Sequence, residues 1–146
     1  MVRGHDHKVD RLRAVYLFQR CSAKELKKLA GIADEVEYRA GHVLCAEGDH
    51  ASECFVIIDG EAEVRHGDRV VRTVGSGASV GEMGLLNHKP RSATVVATSA
   101  LSAYVIDGRR FGGLLEEAPG LSRALLEELS DRLRTLDAAY SQPTPV

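Results

Sequence analysis

Phe55-Val56-Ile57-Ile58-Asp59-Gly60-Glu61-Ala62-Glu63-Val64, continued by Arg65-His66-Gly67-Asp68, is the stretch on which the fold turns. It holds two short apolar runs, each closed by an Asp and Gly pair. Gly60 and Gly67 bracket a hairpin strand, because glycine enters positive φ at little steric cost. The same rhythm continues on both sides. Apolar runs at Val43-Leu44, Val70 to Val74, Thr94 to Ala97 and Leu101 to Ile106 alternate with turns at Gly41, Gly48-Asp49 and Gly75-Ser76-Gly77. Short strands at regular turn spacing predict a compact all-β sandwich or barrel over residues 36–107.

The period changes on either side of that block. Upstream, Ser22-Ala23-Lys24-Glu25 has the spacing of a capping box, and Leu26, Leu29, Ala30 and Ala33 follow at helical intervals. Helical pattern thus covers the region near residues 11–33, and residues 1–10 read as a flexible polar tail. Downstream, Asp107 suits the N-cap of a helix over 108–117, weakened by Gly112-Gly113, and Pro119 suits the first turn of a second helix. In that last helix Leu126, Leu129, Leu133, Leu136 and Tyr140 follow the 3-4-3-4 spacing of a coiled-coil seam. Packing on the β-domain explains the stripe equally well. The C-terminal helices are placed at 108–138, and 139–146 read as a second tail, with Pro143 stopping the helix. The expected fold is mainly β with helical ends: an antiparallel β-roll or jelly roll between an N-terminal helix and C-terminal helices.

Composition narrows the function. The chain has 146 residues, a length typical of one domain, and a formal charge of −2. It lacks the basic excess of a protein that works by gripping nucleic acid. The N-terminus has no apolar signal core, and no run is long enough to span a bilayer. A cytoplasmic protein without a membrane role is expected. Cys21, Cys45 and Cys54 form no CxxC pair and read as reduced structural thiols. The histidines show no H-x-H or H-x-x-x-H spacing, so no metal is expected, and neither a nucleophile elbow nor a Walker loop is present. No enzyme activity is expected.

The chemistry concentrates in Val80-Gly81-Glu82-Met83-Gly84-Leu85-Leu86-Asn87-His88-Lys89-Pro90-Arg91-Ser92-Ala93-Thr94-Val95-Val96. Gly75, Gly77 and Gly81 allow sharp turns and a close backbone approach. Residues 82–87 can form one helical turn whose free amides suit an anion. Arg91 can fork onto phosphate oxygens, whereas the carboxylate of Glu82 only accepts, as from a hydroxyl. Phosphate donors beside one hydroxyl acceptor match a cyclic nucleotide, which carries one negative charge and one free ribose hydroxyl. A structural ion pair between Glu82 and Arg91 is the plain alternative. Met83 reads as core filler, and Glu47 and Asp49 read as turn residues.

This segment closely resembles the phosphate-binding cassette of cyclic-nucleotide-binding domains, as in catabolite-activator-type regulators and protein kinase A regulatory subunits. Gly81-Glu82, Leu85-Leu86 and Pro90-Arg91-Ser92-Ala93-Thr94-Val95 match the cassette pattern. Arg39-Ala40-Gly41, Glu47-Gly48-Asp49 and the Phe55–Val64 stretch look like family counterparts, so the likeness covers about residues 11–138. The resemblance implies that Glu82 accepts from the ribose 2′-OH and that Arg91 pairs with the cyclic phosphate. It further implies contacts from Gly81, Met83, Ser92 and Ala93, with Asp137 of the last helix accepting from an adenine amino group. The implied ligand is cAMP, or else cGMP. Val80 departs from the phenylalanine frequent at its position. Activator-type regulators continue into a DNA-binding domain, whereas only about eight residues follow the last helix here, so direct DNA binding is not expected. The expected partners are the cyclic nucleotide and either an effector protein or a second copy through the C-terminal helix. A ligand-free dimerisation module of the same fold is the alternative.

Overall fold

The computed structural model describes residues 4–50, 52–87 and 89–139. Helix α1 (Gly4–Arg13) leads into a 3₁₀ turn (Tyr16–Phe18) and helix α2 (Ala23–Gly31). The strands then follow: β1 (Ala33–Tyr38), β2 (Val43–Cys45), β3 (Glu53–Asp59), β4 (Ala62–His66), β5 (Arg69–Val74) and β6 (Ser79–Val80). A short helix α3 (Gly84–Asn87) precedes β7 (Thr94–Ala97) and β8 (Leu101–Asp107), and helices α4 (Gly108–Glu117) and α5 (Pro119–Ala139) close the chain. Two antiparallel four-stranded sheets form, in the orders β1-β8-β3-β6 and β2-β7-β4-β5. This is the β-roll with helical ends that the turn spacing predicts.

The continuous apolar runs of β3 and β8 have a physical cause: both faces of these central strands are covered. Cys54, Val56, Tyr104 and Ile106 face the helices, where they pack with Leu12, Phe18, Leu26, Leu29, Phe111 and Leu121. Phe55, Ile57, Ala103 and Val105 face the other sheet, packing with Leu44, Val64, Val80 and Val95. Burying such a side chain contributes on the order of 1.5–3 kcal/mol, so the two cores fix the register of the central strands. Leu85 of α3 belongs to the helical core. The segment that carries the chemistry is therefore bolted to the helices by its own leucine.

Local signals hold where the sequence is explicit. Ser22 Oγ accepts from the Glu25 amide at 3.2 Å, and Glu25 Oε1 accepts from the Ser22 amide at 2.8 Å, completing the capping box. Asp107 caps α4 by accepting from the Arg110 amide at 3.1 Å. Two expectations need correction. Residues 4–10 are not a tail but most of α1. Lys8 Nζ donates to the carbonyls of Ala30 and Ala33 at 3.0 and 2.7 Å, tying α1 to the last turn of α2 and the start of β1, while Val9 and Leu12 pack on the core. The strand set also begins earlier, at Ala33, because Val36 and Tyr38 of β1 pack on the inter-sheet core while Asp34, Glu35 and Glu37 are exposed. The C-terminal tail from Tyr140 onward lies outside the described residues.

Candidate functional site

A cavity of about 220 Å³ opens between the β2-β7-β4-β5 sheet and the segment after β6. Cys45, Val64 and Val95 line its sheet side, and Ser79, Val80, Gly81, Glu82, Met83, Arg91, Ser92 and Ala93 line the rest. Six of the seven residues expected at the site, Gly81, Glu82, Met83, Arg91, Ser92 and Ala93, thus meet around one space. Asp137 does not. It is exposed and is not among the cavity's lining residues, because the distal half of α5 runs along the 3₁₀ turn. Met83 stands where the resemblance implies and not where the core-filler reading put it. It is 44% exposed and lines the cavity instead of filling the core. Leu85, two residues on, is the one that turns inward.

The backbone prepares this space for an anion. Gly81 has φ +78°, and an added Cβ there would meet the Arg91 guanidinium and lie 3.0 Å from the Glu53 carbonyl. Only glycine lets the chain pass so close. The amides of Gly84, Leu85 and Leu86 are spent on the carbonyls of Gly81, Glu82 and Met83. Among the described residues, the amides of Glu82, Met83, Ser92 and Ala93 donate to no protein acceptor. Unspent amides beside a guanidinium are the donors a phosphate needs.

Arg91 enters from the turn before β7. Its own amide donates to the Asp49 carbonyl at 2.7 Å, and its carbonyl accepts from the Gly48 amide at 2.9 Å. Glu47 is fixed nearby, its amide donating to Thr94 Oγ1 at 2.9 Å and its side chain accepting from the Gly67 amide at 3.1 Å. Those bonds give Glu47 and Asp49 the turn roles read from the sequence. The Arg91 guanidinium donates to the Glu53 carbonyl at 2.5 Å and weakly to the Gly81 carbonyl at 3.5 Å. Glu82 instead accepts from Ser79 Oγ at 3.1 Å. Among the described residues no ion pair joins Glu82 to Arg91. The two charges face one cavity without neutralising each other.

One lining residue has no counterpart in the sequence reading: Arg72 of β5. Val64 pairs with Arg72, while the next pair is Arg65 with Val70, so Val71 is the extra residue of a bulge. That bulge puts Arg72 on the same face as the buried Val64. An arginine between Val71 and Thr73 in an edge strand reads as solvated; Arg72 is exposed, and the register shows that it also lines the cavity. Arg72 makes no ion pair among the described residues. The cavity's charged side chains are therefore Arg72, Arg91 and Glu82, a net of one positive charge.

The cysteines stay out of this chemistry. Burial, with Glu25 second, pushes the Cys21 thiol up to about 12, and burial raises Cys54, with Glu82 adding to it. Burial also raises Cys45 at the cavity wall, against the lowering pull of Arg91. Protonated thiols are poor nucleophiles and poor metal ligands. Among the described residues no three His, Cys, Asp or Glu side chains are grouped to hold a metal. No helix is long and apolar enough to cross a membrane. A larger cleft of about 460 Å³ beside Glu37, Arg39 and Asp59 has no comparable set of phosphate donors.

A β-roll with unspent amides, a guanidinium and one hydroxyl acceptor at a single cavity defines a small-anion-binding sensor fold. The chain belongs to the cyclic nucleotide-binding domain family, whose pattern it matches over residues 35–118. It is 36% identical over 134 residues to a cAMP-dependent protein kinase regulatory subunit of Mycosarcoma maydis, covering 85% of this chain and 26% of that relative. Among solved structures it is similar to the N-terminal domain of a transcriptional regulator from Streptomyces coelicolor, with TM-score 0.83, 25% identity and coverage of 92% and 97% of the two chains. It is also similar to the regulatory domain of Toxoplasma gondii PKA in complex with cAMP, with TM-score 0.71, 29% identity and coverage of 78% and 45%. The chain spans about a quarter of the curated relative's length.

Proposed function

We propose that this chain is a cytoplasmic cyclic-nucleotide sensor, taking cAMP as its regulatory ligand and passing the binding event to a partner through α5. One observation carries the reading: Arg91 and the unspent amides of Glu82, Met83, Ser92 and Ala93 meet at one cavity. The phosphate takes these donors, and Glu82 leaves Ser79 to accept from the 2′-OH. A 5′-monophosphate carries nearly twice the charge and places it beside Glu82, so it is the poorer ligand. The separation of Glu82 from Arg91 also weighs against a ligand-free module, in which the two would satisfy each other.

At a hundredfold excess over Kd, cAMP should stabilise the chain by about 2.7 kcal/mol, a Tm rise of roughly 5–10 °C for a domain this size. 5′-AMP should give little shift at the same concentration. No shift with any cyclic nucleotide at millimolar concentration would leave only the ligand-free module. Arg72 favours a second reading in which the base is guanine. A guanidinium only donates, and guanine offers O6 and N7 as paired acceptors where adenine offers one acceptor and one donor. Calorimetry with both nucleotides on the wild type and on Arg72→Ala separates the two. Under the cAMP reading the wild type prefers cAMP and Arg72→Ala leaves that ratio unchanged. A cGMP preference that Arg72→Ala abolishes would move the assignment to cGMP.

The output surface is the outer face of α5. Leu126, Leu133 and Leu136 are 67%, 64% and 53% exposed, whereas Leu129 of the same stripe packs against the helical core. Three exposed leucines at these spacings fit a parallel helix from a second copy. Sedimentation of the wild type should show a dimer that Leu126→Asp with Leu133→Asp converts to a monomer. A wild-type monomer at high concentration would assign the leucines to an effector protein instead.

A further inference from the structure

Helix α5 is held by two different kinds of contact along its length. In the proximal half Leu121 is fully buried, Ala124 and Leu125 nearly so. The distal half, residues 127–138, contains no buried residue. Leu129 is half-buried against the helical core; the rest of the hold is charge. The Arg20 guanidinium lies 3.6 Å from Glu127 and 3.5 Å from Glu128, and also pairs with Asp131. Next to Asp131, Arg132 sits over the Tyr16 ring, 3.6 Å from its centroid. Arg20 is well founded: it follows the 3₁₀ turn whose Leu17 and Phe18 are fully buried.

We propose that Arg20 is an electrostatic latch that holds the distal half of α5 against the 3₁₀ turn, and that its strength sets how readily this helix answers the ligand. The first half of the proposal stands on geometry alone, and the second rests on the nucleotide-sensing function proposed above. An isolated exposed ion pair holds little. Here three carboxylates fall within five consecutive residues of one helix. With Arg20 among them they attract the 3₁₀ turn; without it they repel one another, and Arg123, 3.2 Å from Glu127, compensates only one. Removing Arg20 thus changes more than a single pair. Tyr16 beneath Arg132 packs on the helical core, beside the cleft that Glu128, Asp131 and Arg132 line. In this position α5 keeps Asp137 away from the cavity. A helix freed from Arg20 can reach the ligand at lower cost.

Hydrogen exchange on the free chain tests the latch without any nucleotide. In Arg20→Ala, amides in 127–138 should exchange about three- to tenfold faster, while 119–126 and the strands keep wild-type protection. Raising salt to about 1 M, where screening acts over roughly 3 Å, should produce the same change in the wild type and add little in Arg20→Ala. Arg20→Glu combined with Asp131→Arg should restore protection. Calorimetry then reads the second half: Arg20→Ala should bind cAMP tighter by the same factor. Unchanged exchange in Arg20→Ala, or acceleration spread evenly over the strands, overturns the latch. Faster exchange with unchanged affinity overturns its control of binding. A wild type that binds no cyclic nucleotide defeats the proposed function and not the latch, which the exchange data decide alone.

Discussion

Arg91→Ala lowers cyclic-nucleotide affinity by about a hundredfold or more. The side chain supplies up to two charge-assisted hydrogen bonds to the phosphate, each contributing about 1.5–3 kcal/mol, and each 1.4 kcal/mol is about tenfold in Kd. Among the described residues the other cation lining the cavity is Arg72, which comes from β5 and not from the segment that carries the unspent amides. The free protein should suffer much less. Arg91 gives up a bond to the Glu53 carbonyl and a weak one to the Gly81 carbonyl, and losing a partner of this kind costs about 1–3 kcal/mol. Glu82→Gln should cost less affinity than Arg91→Ala, since an amide oxygen still accepts from the 2′-OH. Calorimetry beside thermal melting separates the two effects. An Arg91→Ala chain that binds within threefold of wild type would remove this residue from the phosphate site.

Much of this molecule is legible in its sequence, and the parts that are not share a reason. Where a local rule governs, the sequence states the result: Ser22 and Glu25 for the start of α2, Asp107 for the start of α4, the Gly60 and Gly67 turns for the β4 hairpin. The runs in β3 and β8 also speak plainly, because strands covered on both faces have no polar side to blur them. The cavity's phosphate donors are legible because they lie within a dozen residues of one another. Contacts made across the fold are hidden. α1 looks like a polar tail because what anchors it is Lys8 on carbonyls of α2 and β1, bonds between distant segments. β1 looks irregular because it is an edge strand with three exposed acids. Arg72 stays exposed, and its place at the cavity is invisible until the bulge in the β4–β5 pairing sets it opposite Val64. Asp137 seems aimed at the base only when α5 is laid over the cavity, and the charges that place it elsewhere converge on Arg20, more than a hundred residues earlier in the chain.

Gly81→Ala should damage both the fold and the site, and a second glycine provides the control that tells the two apart. At φ +78° an alanine carries left-handed strain of about 1–3 kcal/mol. Gly77, at φ +89°, carries a similar burden, yet a Cβ there would meet nothing within 4 Å. At Gly81 the new methyl would overlap the Arg91 guanidinium and press on the Glu53 carbonyl at 3.0 Å. The guanidinium is the end of a flexible side chain and moves readily; the carbonyl is backbone of β3, where Glu53 pairs with Asp107 of β8, and gives less. The strain is therefore relieved by displacing Arg91 from the phosphate position. Both variants should melt lower, by roughly 3–10 °C. Gly77→Ala should keep nucleotide affinity within about threefold, whereas Gly81→Ala should lose at least about tenfold, since a displacement of about 1 Å removes a charge-assisted bond. Melting curves and calorimetry on the pair decide the matter. Equal affinity in the two variants would mean that Gly81 serves the turn alone, and that Arg91 finds the phosphate whatever stands beside it.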